Sequence, residues 1–95
     1  MFIGIVIIEL HLPSAHSLKD KRSIVKSITS RVNREFNVSC AEVEHQEVWQ
    51  TAGIGAAVIS NSAVHAQQVL GSVLGWIERN WPDVQIVDHS IEMIS

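Results

Sequence analysis

The segment "HSLKDKRSIVKS", His16 to Ser27, crowds Lys19, Lys21, Arg22 and Lys26 into the first turns of what reads as a helix. The start of a helix is its positive pole, where anions are stabilised and each cation costs about 0.3–1 kcal/mol. Cations gathered there are suited to holding a phosphate or carboxylate, together with the free backbone N–H groups of the first turn. The plainer alternative is a solvated face, or a charge network with acids of a neighbouring subunit. On a helical wheel, Lys19, Arg22, Lys26 and Asn33 line the side opposite Leu18, Val25 and Val32. Lys21 falls instead beside Val25 and Ile28. A lysine on that side either snorkels to the edge or meets an acceptor.

Other reactive types are scattered. His11, His16, His45, His65 and His89 show no tight ligand spacing, so no metal and no cofactor is expected. Cys40 is the only cysteine and lies mid-strand, where a thiol behaves as an inert small hydrophobe. Glu42, Glu44 and Glu47 read as the acidic counterpart of Arg31 and Arg34 at the end of the first helix. No nucleophile–base pair emerges, which favours a non-enzymatic protein.

The elements that would position these residues follow from periodicity. "FIGIVIIEL" opens the chain as a strand, about Phe2 to Leu12. Ser17 and Asp20 form a variant capping box, and Leu18, Val25, Ile28, Val32 and Phe36 keep helical spacing to about Glu35. Strands follow at about Val38 to His45 and Trp49 to Ser60. Asn61 and Ser62 cap a second helix with Ala66, Val69, Leu70, Val73 and Ile77 on its inner face. "NWPD" stops that helix, and "VQIVDHSIEMI" is the last strand. The order βαββαβ predicts an α+β fold, a ferredoxin-like sandwich with an antiparallel four-stranded sheet and two helices on one face.

Residues 1–95 read as one such domain. Hydrophobic residues make up 46%, enough for a core, and charged residues 18%, below the usual roughly 25%. The net charge of −3 argues against a general nucleic-acid binder. Six of the 7 basic residues nevertheless lie between Lys19 and Arg34, which suits a local anion. No apolar run reaches the roughly 20 residues of a membrane span. The absence of a signal sequence and of paired cysteines favours the cytoplasm.

Several segments resemble a known family. "SLKDKR" at Ser17–Arg22, "FNVSCAEVEHQEVWQ" at Phe36–Gln50, "AVISN" at Ala57–Asn61 and "HAQQVL" at His65–Leu70 are similar to the YlxP-like proteins, small bacterial domains of undetermined function. The resemblance implies a ferredoxin-like fold and no catalytic residues. Genes of that family lie, in some bacteria, among genes for translation, which implies an RNA or ribosome setting.

The leading reading is an interaction module, RNA- or ribosome-associated through the basic first helix. The alternatives are a homo-oligomeric structural module associating through its open sheet face and a small-anion-binding sensor domain. Two surfaces are expected from these readings. Strands one and three are read as parallel, which would bring both helix N-termini to one edge. His16, Ser17, Lys19, Lys21 and Arg22, with Lys26 along the helix, would then join Asn61, Ser62 and His65 in an anion or RNA site. The second surface is the uncovered sheet face, where Ile3, Ile5 and Ile7 share a side with Glu9 and His11. An apolar face of that kind marks an interface, here with further copies of the chain. The central strands offer no aromatics, unlike an RNA-recognition motif. Gly53 and Gly55 leave room for a close neighbour, or fit a bulge or sheet twist. Gly71 and Gly75 are read as close packing of the second helix on its own sheet, and Trp76 with Trp81 as anchors of the core margin.

Overall fold

The computed structural model describes all 95 residues. β1 (Phe2–His11) alternates between two environments. Val6, Ile8 and Leu10 are fully buried, while Ile3, Ile5 and Ile7 are only partly covered. That two-residue period is the pleat of a strand with one dry face. The elements continue as α1 (Leu18–Glu35), β2 (Ser39–Glu44), β3 (Thr51–Ser60), α2 (Ala63–Asn80) and β4 (Gln85–Ile94). The strands form one antiparallel sheet in the order β2-β3-β1-β4. This is the expected ferredoxin-like architecture.

α1 starts at a Ser17 cap whose Oγ accepts from the Asp20 N–H at 3.0 Å. Asp20 returns the bond by accepting from the His16 N–H at 3.1 Å. Its buried face is Lys21, Val25, Ile28 and Val32. α2 is capped by Ser62, and buries Ala66, Leu70, Val73 and Ile77. These residues and the inner faces of β1 and β3 make one core. Trp76 lies edge-on to both Phe36 and Trp81, at 5.7 and 5.4 Å between ring centroids. Arg31 lies over both indoles, 5.3 and 4.7 Å from the two centroids.

Three sequence expectations are corrected. β1 and β3 are antiparallel, with Phe2 opposite Ser60 and His11 opposite Thr51. α1 therefore starts at one end of the sheet and α2 at the other, about 30 Å away at the usual strand rise. Second, Glu42, Glu44 and Glu47 do not lie beside Arg31 and Arg34: Glu42 meets Lys21 in the first turn of α1, and Glu44 and Glu47 follow it at the end of β2 and in the β2–β3 connection. The crossover through α1 sends β2 back toward the start of that helix. Third, Gly71 and Gly75 do not pack on the sheet: a side chain at Gly71 would meet nothing within 4 Å, and one at Gly75 would meet only Arg79 of the same helix. Gly53 is explained by the bulge reading. It sits where the β2–β3 register shifts, and a Cβ there would come within 2.7 Å of the Glu44 Cβ.

Candidate functional site

Lys21 is fully buried on the inner side of α1, as the wheel places it. Its Nζ lies 2.9 Å from Oε2 of Glu42, a side chain 19% exposed. It also donates to the carbonyl oxygen of His45. That Glu42 oxygen is buried and has no polar partner besides the ammonium, so the lysine charge is its main compensation. His45 opens the β2–β3 connection with a left-handed backbone, φ 62°. One cation of the opening segment is thus engaged inside the chain and ties α1 to β2.

Lys19, Arg22 and Lys26 are exposed and lie within 4.0 Å of no carboxylate. Lys19 and Arg22, with His16 and Ser17, occupy the start of α1, and Lys26 lies at its middle. Asn61, Ser62 and His65 occupy the far end of the sheet, so the structure does not bring the two groups together. Asn33, on the same side of the wheel, has a role that the sequence did not reveal. Its amide donates to the Cys40 carbonyl at 2.9 Å and accepts from the Cys40 N–H at 2.8 Å. It acts as a short strand against the outer edge of β2, satisfying groups that an edge leaves unpaired. No local sequence signal marks it, because the wheel gives a direction and not what lies there. Burial pushes the Cys40 thiol up from 9.0 to about 11, which keeps it protonated and unreactive at neutral pH.

The uncovered sheet face is graded. Ile3, Ile5 and Ile7 of β1 lie beside Ile59, Ala57 and Gly55 of β3. A shallow trough runs over Ile5, Ile7, Ala41, Val43 and Ala57. Ile59 is 67% exposed, and Val43 and Ile94 are also exposed. Toward the other end the face turns polar, with Glu9, Glu44, His45, Asp88 and Ser90 around a small depression. There His45 Nε2 is 3.3 Å from Glu9 and 4.0 Å from Glu44. No helix is long and apolar enough to cross a membrane.

The family model described as "Protein of unknown function (DUF503)" matches residues 3–91. The chain belongs to this family. It is 37% identical over 83 residues to "Uncharacterized protein YlxP" of Bacillus subtilis (strain 168), covering 87% of this chain and 89% of that one. Among solved structures it is similar to a de novo designed protein with a ferredoxin fold, determined by solution NMR. The TM-score is 0.56 at 13% identity, covering 99% of this chain and 83% of the other. The designed relative speaks to fold alone.

Proposed function

We propose that this DUF503 chain is a non-enzymatic, cytoplasmic interaction module that works as a homo-oligomer through its open sheet face. The observation that carries the reading is the continuous apolar half of that face, from Ile3, Ile5 and Ile7 across Ala57 and Ile59 to Val43. Contiguous exposed apolar surface of this kind costs solubility unless a partner covers it. Ile5→Lys places a charge at its centre without touching the helix-covered core. Sedimentation velocity at micromolar protein should then show a larger assembly for the natural chain than for Ile5→Lys, with the same circular dichroism. A natural chain that stays monomeric refutes the reading.

A second reading concerns α1. Three exposed cations, Lys19, Arg22 and Lys26, have no acidic partner within the chain. We propose that this ridge meets RNA phosphate, at the ribosome or elsewhere. Phosphate contacts give an affinity that falls with salt, with a log–log slope of about −0.7 per contact for single strands. In an anisotropy titration with single-stranded RNA at low salt, Lys19→Glu with Arg22→Glu should abolish binding. Binding that survives both reversals, or none by the natural chain, returns the ridge to a solvated surface.

A further inference from the structure

The two edges of the sheet are treated differently. β2 is short, and its outer backbone groups at Cys40 are taken up by Asn33. β4 is 10 residues long, and every one of its side chains except Ile86 and Met93 is exposed. It carries no lysine, arginine or proline, and Asp88 and Glu92 are its only charges that act against edge pairing. Its one irregularity lies early. Asp88 opposes Glu9 and Ile86 opposes Leu10, so Val87 is an extra residue bulged out of the ladder. From Asp88 to Ile94 the strand is regular.

We propose that this regular segment pairs antiparallel with the same segment of a second copy, centred on Ile91, making one continuous sheet. The charge pattern selects that register. In a two-fold antiparallel pair the centre falls on a residue, and partners share a face. Centring on Ser90 sets Asp88 against Glu92 of the second copy, twice, and like charges directly opposite destabilise a sheet. Centring on His89 draws the bulged Val87 into the ladder. Centring on Ile91 uses only the regular residues and opposes no like charges. Ser90 then faces Glu92, a donor against an acceptor, and Asp88 faces Ile94. On the helix side, Ile91 meets its own copy, flanked by His89 opposite Met93. Ile91 is 36% exposed and gains cover there. This contact uses the sheet edge and does not depend on the open face.

Cysteine cross-linking reads the register directly. Directly opposed residues have Cα atoms about 4.5–5.5 Å apart, within disulfide range, whereas Glu92 and its own copy are offset by two residues and lie beyond about 7 Å. Under mild oxidation, Ile91→Cys should give a covalent dimer and Glu92→Cys alone should not. A mixture of Ser90→Cys with Glu92→Cys should give the mixed dimer. All three positions are exposed, and the buried Cys40 of the natural chain serves as the unreactive control. Adding Ile5→Lys should leave the Ile91→Cys yield unchanged, which separates this contact from open-face association. Absence of the Ile91→Cys dimer, or equal yields for Ile91→Cys and Glu92→Cys, overturns the proposal. So would an edge that pairs only with an unrelated strand-forming peptide.

Discussion

The two sides of α1 put the same residue type to opposite uses. On the inner side, Lys21 is fully buried between Glu42 and the His45 carbonyl. On the outer side, Lys19, Arg22 and Lys26 are exposed and unpaired. Lys19, Lys21 and Arg22 sit near the positive pole of the helix, where cations are electrostatically unfavourable, and Lys26 lies at mid-helix. The inner one is offset by a carboxylate from another element. The outer three have no such compensation within the chain, and water screens what they cost. A run of like charges along a sequence is therefore not one feature, since the wheel divides it into a structural cation and a surface ridge.

The largest effect should come from breaking the inner pair. Lys21→Ala leaves the largely buried Glu42 carboxylate without its counter-charge, and should cost roughly 3–5 kcal/mol in chemical denaturation. Lys21→Met with Glu42→Leu removes both charges while keeping apolar bulk, and should recover most of that loss. Equal destabilisation by the single and double changes would show that packing of the lysine stem matters and the pair does not.

Asn33 is the exception on the outer side. Asn33→Ala removes both bonds to Cys40, and should cost about 1–3 kcal/mol. Amide exchange at Cys40 should rise with it. A neutral result would place Asn33 with the solvated residues around it.

The smallest effect on stability belongs to the ridge. Lys19→Glu and Arg22→Glu swap a cation for an anion near the helix start, and each should be neutral or stabilising by about 0.3–1 kcal/mol. A marked loss of stability would mean that the two sides of α1 are not separable.

The binary patterns were legible. The alternation of "FIGIVII" separated the buried Val6 and Ile8 from the open-face Ile5 and Ile7, and the wheel put Lys21 inside. What escaped were relations between elements. The partner of Lys21 depends on the direction in which β2 runs, and the separation of the two helix starts depends on β1 and β3 being antiparallel. Neither is encoded in a window of local sequence. Gly71 and Gly75 were misplaced for a related reason: a four-residue spacing fixes a shared stripe on α2, but the inner face is set by Ala66, Leu70, Val73 and Ile77. The candidate site was half legible, since residue types mark cations but not their distance from a second cluster.

The placement of β1 has a consequence for how the chain comes into being. Within this domain it is made before the other elements, yet both of its neighbours lie far downstream, with Phe2 paired to Ser60 and Ile3 paired to Ile94. Until β3 emerges, "FIGIVII" has no strand to join, and until β4 emerges one of its edges stays bare. Long-range pairing of this sort is slow, because the loop must close before any contact rewards it. An apolar strand left waiting during translation is also an aggregation hazard. The sheet can close only once β4 has left the ribosome, so this domain folds after its last strand is made and not step by step as its elements emerge.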